Sequence, residues 1–223
     1  YKAKNGFNRF VVSNVISTYT KGREVKYAID LASGRGADIN RYRQCKVHET
    51  LFIDVDVHAL TELVQRKFSS IIRQRHQRDV RAEAHGTTIH VLSMDLKTPY
   101  EQMIAAVSKF RAYENTVDFI NCSFAFHYFC DTVEHLRNII KFIAQLLKLG
   151  AVFTFTVLNG EKVFGVLGSN TEYNFGEIDG SANKYVIKRM YNGTKLAEVG
   201  QTIGIKLPFT DKIYEEPLCN INY

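Results

Sequence analysis

The sequence predicts an α/β fold: a doubly wound, mostly parallel sheet with added antiparallel strands near the C-terminus. Three observations lead there. Apolar runs alternate with helix-period segments from about residue 25 to residue 157, the alternation that successive βαβ units require. Two of those runs close on an aspartate, Asp30 and Asp54, and in open α/β sheets ligands bind beyond the carboxyl ends of the strands. After Asn159 the texture changes to Gly, Asn, Tyr and short β-like runs, which point to antiparallel pairing. With 223 residues, 45% of them hydrophobic, the chain suits a single domain over 1–223 with a real core.

The elements follow in order. Strands are predicted over 25–31, 50–54, 88–93, 116–122 and 151–157, each a short apolar run. Helices are predicted over 38–44, 58–78, 100–113 and 132–149, where apolar residues recur at helical spacing. Leu136, Ile139, Ile140, Ile143, Leu146 and Leu147 form the clearest such stripe, read as core. Residues 185–190 and 195–199 flank Asn192-Gly193, a hairpin signal. Arg66, Lys67, Arg73, Arg75, His76, Arg78 and Arg81 crowd one helical stretch. A solvated face is the default reading; a phosphate-binding ridge is the alternative, strongest for Arg66.

Composition narrows the class. Lys and Arg exceed Asp and Glu to give a formal charge of +6, which favours a polyanionic partner, nucleic acid first. No apolar run approaches the ~20 residues that span a bilayer. Cys45, Cys122, Cys130 and Cys219 lack metal-ligand spacing and read as reduced thiols of an intracellular, cytoplasmic protein that holds no metal. The chain opens on Tyr1 rather than Met, so it is expected to be part of a larger polypeptide.

The most informative stretch is YAIDLASGRGAD, residues 27–38. A strand, a small-residue turn carrying Gly34 and Gly36, and a helix start bring backbone N–H groups close to a ligand. It is no dinucleotide fingerprint, because Ile39 stands where a third glycine belongs, and no P-loop, because the Gly-Lys-Ser/Thr ending is absent. Asp30 and Asp38 flank the turn and would repel a pyrophosphate. They suit ammonium, hydroxyl or sulfonium groups, which points to S-adenosylmethionine. A tight βα turn without a ligand is the plain alternative. Asp54, sixteen residues beyond Asp38, is placed to accept from ribose hydroxyls. Asp95 either accepts from an adenine amino group or simply opens a helix. Downstream, DFINCSFAFHY (118–128) leads a buried strand into Phe124, His127 and Tyr128. That cluster favours a planar ligand, although a lone His on an apolar strand is usually a core residue.

These segments together resemble the messenger-RNA cap guanine-7-methyltransferases, in a divergent viral form, over nearly the whole chain. GFNRFVVSNVI is similar to that family's opening helix, DLASGRGADINRY to its glycine motif DLGCGKGGDL, and SFAFHYFCDT to its cap-pocket segment. FTVLNGEKVF and IYEEPLCN resemble two later motifs. The resemblance implies a Rossmann-like class I methyltransferase fold and transfer of a methyl group from S-adenosylmethionine to the guanine seven-nitrogen of capped RNA. It implies a donor pocket of Asp30, Ala32, Gly34, Gly36, Asp38, Asp54, Asp95, Ser123 and Tyr128. It implies a cap pocket of Asn8, Phe124, His127 and Glu216, with Arg35 and Arg66 toward the triphosphate. His127 and Phe124 would position the guanine, no side chain acting as general base. Fused guanylyltransferase and triphosphatase domains are the implied partners.

The departures are specific. Val12 stands where the family has a donor-contacting lysine, Ser123 replaces a glutamine, Ala32 a glycine and Leu158 a cap-lining proline. The late acidic residue is Glu216 or its neighbour Glu215, and the family pattern runs on past Tyr223. Two other functions remain open: methyl transfer to another RNA position, a protein or a metabolite, and a catalytically silent RNA-binding subunit of the same fold.

Overall fold

A computed structural model of the chain describes residues 2–77, 87–176, 184–207 and 212–222. It divides into two compact units, one of residues 1–123 with 138–156 and one of 124–137 with 157–223.

The first unit is the alternating half. Its order is α1 (Lys2–Thr20), β1 (Tyr27–Leu31), α2 (Ile39–Gln44), β2 (Glu49–Asp54), α3 (Val57–Gln77), β3 (Thr88–Ser93), α4 (Tyr100–Ser108) and β4 (Val117–Ser123). The later part of α5 (Val133–Leu146) and then β5 (Leu147–Thr156) complete it. The five strands are all parallel, in the order β3-β2-β1-β4-β5. The order reverses between β1 and β4, so their carboxyl ends flank the switch point where such sheets bind ligands.

Central β1 is buried at every residue, as a parallel strand covered on both faces must be. Val12 and Ile16 of α1, Tyr42 of α2 and Leu60 and Leu63 of α3 join Ala28, Phe52, Ile89 and Phe119 in one core cluster. Tyr42 meets Phe52 edge-on, with ring centroids 5.6 Å apart. Two predicted helices run too long. α4 stops at Ser108 because Arg111 takes a left-handed φ of +64°, which no helix accommodates. Residues 147–149 belong to β5 rather than to α5. Within α5 the buried face is Ile139, Phe142, Ile143 and Leu146, while Ile140 is nearly half exposed.

The second unit holds a 3-10 turn (Phe126–Phe129), α6 (Gly160–Leu167), β6 (Glu172–Gly176), β7 (Lys184–Arg189), β8 (Thr202–Lys206) and β9 (Ile213–Pro217). The last four form an antiparallel sheet of their own in sequence order, not an extension of the parallel one. Its core is Val163 and Leu167 of α6 with Tyr191, Ile203 and Leu218. The expected hairpin about Asn192-Gly193 is absent, since β7 pairs with β8 and residues 195–199 are not a strand. The Gln201 side chain accounts for the difference: its Oε1 accepts from Ala197 N–H and its Nε2 donates to the Lys195 carbonyl. One amide thus satisfies backbone groups that a ladder would otherwise have to pair. No helix among the described residues is long and apolar enough to cross a membrane.

Candidate functional site

In the first unit the sequence-predicted residues gather along the carboxyl edge of the parallel sheet. β1 delivers Asp30 there, β2 delivers Asp54, and Ser123 closes β4. The loop after β1 is held tightly to β2. Ser33 N–H donates to the Ile53 carbonyl at 3.0 Å, and Gly34 N–H donates to Asp54 Oδ2 at 2.7 Å. The other oxygen of Asp54 accepts from Asp56 N–H at 2.8 Å, and Asp56 in turn accepts from His58 and Ala59 N–H at the start of α3. A buried carboxylate therefore fixes both the glycine loop and the β2–α3 corner.

Conformation accounts for the small residues. Ala32, Gly34 and Gly36 all have positive φ, of +50°, +51° and +65°. At Gly36 a side chain is also excluded sterically, because a Cβ would lie 2.4 Å from Leu63 Cγ. Ala32 fills a left-handed position that a glycine would take without strain, at a cost of about 1 kcal/mol or more.

Asp30 is almost wholly buried, and that burial pushes its carboxyl up to about 7. A hydrogen bond from Asn121, the nearby Tyr42 hydroxyl and the Arg41 guanidinium oppose the rise, while the Asp54 charge adds to it. The Tyr42 hydroxyl, itself buried, is not aligned for a full hydrogen bond. Asn121 is: its Nδ2 donates to Asp30 Oδ1 at 3.0 Å.

The remaining first-unit residues have local partners of their own. Asp38 precedes α2 and pairs with Arg41, whose Nε donates to Ser13 Oγ at 2.6 Å. Asp95 is exposed and accepts from Lys97 N–H, so in its local structure it is a turn-former after β3. Arg35 lies 3.4 Å from Glu62 in an exposed ion pair, and Arg66 is exposed on α3. Val12, where the resemblance leads one to expect a lysine, is buried in the core cluster and packs there. The side chains of Asn8, Arg73, Arg75 and His76 lie outside the described residues, as do Arg78 and Arg81 entirely.

The second unit holds the aromatic segment together with Tyr128, Leu158 and the acidic pair. Phe124 enters it with φ +57°, a strained conformation for a bulky residue, and its ring is more than a third exposed. His127 is buried, with its ring centroid 4.2 Å from that of the half-exposed Tyr128. Its Nε2 lies 3.4 Å from Glu216 Oε2. That is near enough for attraction but not aligned for a hydrogen bond, and both ring nitrogens lack a hydrogen-bond partner among the described residues. Burial lowers His127 to about 4, so the imidazole is neutral at physiological pH. The Tyr128 hydroxyl is raised by burial and then by Glu216. Glu216 is partly buried on β9, whereas Glu215 is exposed. In the same unit the Cys130 thiol donates to the Phe126 carbonyl at 3.8 Å, and the neighbouring Cys219 and burial raise its pKa. Gly200 N–H donates to the Cys130 carbonyl and Gly160 N–H to the Cys219 carbonyl, tying the turn and the end of β9 to their surroundings.

Sequence reasoning missed Asn121, Thr154 and Tyr42, all buried beside Asp30 or one step from it. The available signal was an asparagine inside the apolar run of β4.

The profile of the mRNA (guanine-N(7))-methyltransferase domain matches residues 1–190. The mRNA-capping enzyme of African swine fever virus is 30% identical over 226 residues, covering 99% of this chain and 25% of that protein. The mRNA cap guanine-N(7) methyltransferase of Eremothecium gossypii is 25% identical over 155 residues, or 70% of this chain and 32% of that one. The chain thus spans about a quarter of the length of the viral capping enzymes it matches. Among solved structures, an S-adenosylmethionine-dependent methyltransferase from Clostridium acetobutylicum aligns with a TM-score of 0.54 at 16% identity, covering 96% of this chain and 74% of that one. A Pyrococcus horikoshii protein aligns with a TM-score of 0.57 at 10% identity, covering 97% and 77%. The likeness to these two is one of fold. The chain belongs to the mRNA (guanine-N(7))-methyltransferase domain family.

Proposed function

We propose that the two units act as one S-adenosylmethionine-dependent methyltransferase domain that modifies the guanine seven-nitrogen of capped RNA. The observation that carries this reading is the family match over residues 1–190, which takes in both the Asp30–Asp54 corner and the Phe124–Tyr128 segment. The residues at the sheet edge fit the donor chemically. Two buried carboxylates and a turn of backbone N–H groups suit a ligand bearing ammonium and ribose hydroxyls rather than a pyrophosphate. S-adenosylmethionine, when bound, supplies an electrophilic methyl group on a sulfonium, and the guanine seven-nitrogen meets it with an in-plane lone pair that carries no proton.

The reaction therefore asks the protein for alignment, not proton removal. Positioning of two reactants accounts for roughly 7–11 kcal/mol of barrier lowering in well-oriented systems. Asp54 holds the ribose with the acceptor capacity its two backbone bonds leave. Asp30 faces the cationic end of the donor, and Gly34 and Gly36 let the backbone approach closely. Asp95 takes the adenine amino group, and Ser123 and Tyr128 complete the set proposed for the donor. Phe124 stacks on the guanine. Glu216 accepts from its ring N–H and exocyclic amine, and His127 fixes its edge through a ring nitrogen that has no hydrogen-bond partner among the described residues. A histidine lowered to about 4 is a weak base, which supports a positioning role for it. Asn8 belongs to the same cap pocket, and Arg35 and Arg66 serve the triphosphate.

Relatives named as capping enzymes, about four times as long as this chain, support a place within a longer polypeptide; guanylyltransferase and triphosphatase domains are the partners proposed there. The test is transfer of a radiolabelled methyl group from S-adenosylmethionine to guanosine-capped RNA, with uncapped and adenosine-capped RNA as controls. Under single turnover with both substrates saturating, the rate should stay flat from mildly acidic to mildly basic pH. Methylation independent of the cap would move the chain to another methyltransferase class. A unit-slope acidic limb that vanishes in His127→Ala would make His127 a base.

A further inference from the structure

We infer that Asn121, locked by Thr154, is a positioning residue of the donor pocket: it orients both Asp30 and Ser123 through the two N–H groups of a single amide. The inference rests on the reading of the Asp30 corner as the donor site. Asn121 Nδ2 donates to Asp30 Oδ1 at 3.0 Å and to Ser123 Oγ at 3.1 Å, so both hydrogens of that nitrogen are committed. Thr154 Oγ1 donates to Asn121 Oδ1 at 3.0 Å. That third bond decides which way the amide faces. Rotated by half a turn, the amide would set its oxygen against the Asp30 carboxylate and leave Thr154 facing the amine.

The chain of groups crosses three strands of the parallel sheet, from Asp30 on β1 through Asn121 on β4 to Thr154 on β5. Register makes the contact unavoidable, since Asp30 pairs with Asn121 and Asn121 with Thr154 in the two ladders. All three residues are buried, Asn121 completely. An asparagine at the centre of a two-sided apolar strand is costly unless every polar atom is satisfied, and an aliphatic side chain would fill the space at lower cost. What the asparagine adds is orientation of two groups at the edge where the switch point lies.

Asp30 is also the group whose ionisation this contact controls. From α2 it faces the Tyr42 hydroxyl and Arg41, from β2 the Asp54 carboxylate, and from β4 the Asn121 amide. Burial holds the carboxyl at about 7, and the bond from Asn121 is the largest influence pulling it down. A donor carrying ammonium and sulfonium charges binds better to the ionised carboxylate. Removing Asn121 therefore raises the Asp30 pKa, and the acidic limb of donor binding moves up with it.

The experiment uses the 223-residue chain and two readouts. Carboxyl carbon NMR follows Asp30 in the ligand-free protein, and calorimetry follows S-adenosylmethionine affinity from about pH 5.5 to about pH 9 (about half-unit steps suffice for a one-unit shift). Loss of a bond to a charged acceptor should raise the Asp30 midpoint in Asn121→Ala by about one unit or more. Affinity at neutral pH should fall at least about tenfold, and the gap should narrow to a few-fold at the alkaline end. Thr154→Val keeps the shape of the strand and frees the amide to rotate, so it should move both readouts the same way by less. If Asn121→Ala melts, Thr154→Val alone carries the test. An unmoved Asp30 midpoint in a folded variant would overturn the inference. So would an affinity loss equal at every pH, which is the mark of a merely structural residue. A wild-type chain whose Asp30 titrates near neutrality but binds no donor would instead overturn the donor-site reading and, with it, the positioning role.

Discussion

The Asp30–Asp54 corner and the His127–Glu216 corner both bury ionisable groups, but they settle them in opposite ways. At the first, protein donors occupy the acceptors: Asn121 bonds Asp30, while Gly34 and Asp56 N–H groups bond Asp54. At the second, His127 is buried with neither ring nitrogen hydrogen-bonded among the described residues, and Glu216 lies near it without a hydrogen bond between them. A satisfied corner is preorganised. An unsatisfied one carries a desolvation penalty that a ligand can relieve. In the proposed reading the first corner is a rigid donor seat, and at the second a ligand could supply the partner that the His127 ring nitrogens lack among the described residues.

The largest expected effect tests that contrast through stability and pH. Asp30 rises from 3.8 to about 7 on folding, so its contribution to stability is present below pH 3.8 and is lost as pH climbs through about 7. His127 falls from 6.5 to about 4, so its contribution is present above pH 6.5 and is lost as pH drops through about 4. The slopes oppose one another across the same window. Asp30→Asn should match wild type near pH 4 and exceed it near pH 7 by on the order of 3 kcal/mol in denaturant titrations. His127→Gln should instead gain on wild type as the medium is acidified below pH 6.5. Asp30→Asn running parallel to wild type at every pH would erase the distinction between the two corners.

Next in size is Asp54→Ala. It removes the proposed ribose acceptor and orphans two loop N–H groups at once. Charge-assisted bonds of this kind contribute about 1.5–3 kcal/mol, so S-adenosylmethionine affinity by calorimetry should fall at least about tenfold, with a lower melting temperature. Unchanged affinity in a folded variant would detach Asp54 from the donor. Smaller again is Glu216→Gln, which keeps the shape and removes the charge. Methylation of capped RNA should drop about tenfold, as for the loss of one charged acceptor, with donor affinity preserved. Glu215→Gln, on the exposed side of β9, should be silent. The reverse pattern would shift the recognition site by one residue.

The two corners were not equally legible in the sequence. Strand ends announce themselves, because in a parallel sheet an apolar run that stops on Asp30 or Asp54 before a turn marks the carboxyl edge. The glycine loop was equally plain, down to Gly36, whose missing side chain is where Leu63 packs. Asn121 was not, since one polar residue leaves the apolar pattern of β4 unbroken and its partners on the neighbouring strands are 91 and 33 residues away. The second unit was harder throughout. Residues 195–199 look like a strand by composition, yet the Gln201 amide takes their hydrogen bonds, and β6 has no alternation strong enough to declare it. The antiparallel strands were expected on the parallel sheet because periodicity reports a strand's faces and says nothing of which sheet it joins.

The smallest effect concerns the cations, and it sharpens the contrast from outside both corners. Arg35 and Arg66 are exposed on the unit that carries the Asp30–Asp54 corner, and Arg35 is shared with Glu62 in a pair 66% and 42% exposed. Exposed pairs contribute at most about 1 kcal/mol to folding, so neither Arg35→Ala nor Arg66→Ala should shift the melting temperature appreciably. Their proposed role is with phosphate, where each contact releases counterions and steepens the fall of affinity with salt, by roughly 0.7 in the log–log slope for a single strand. Arg66→Ala should therefore raise KM for capped RNA a few-fold at low salt, flatten the salt slope by about that amount, and converge on wild type at high salt. Donor affinity should not move, because no charge at the Asp30 corner is altered. Arg35→Ala has a built-in control, since it also frees Glu62, and Glu62→Gln should steepen rather than flatten the slope if Arg35 then turns fully to the RNA. An Arg66→Ala slope identical to that of wild type would return Arg66 to the solvated face of α3 and leave phosphate recognition to other residues.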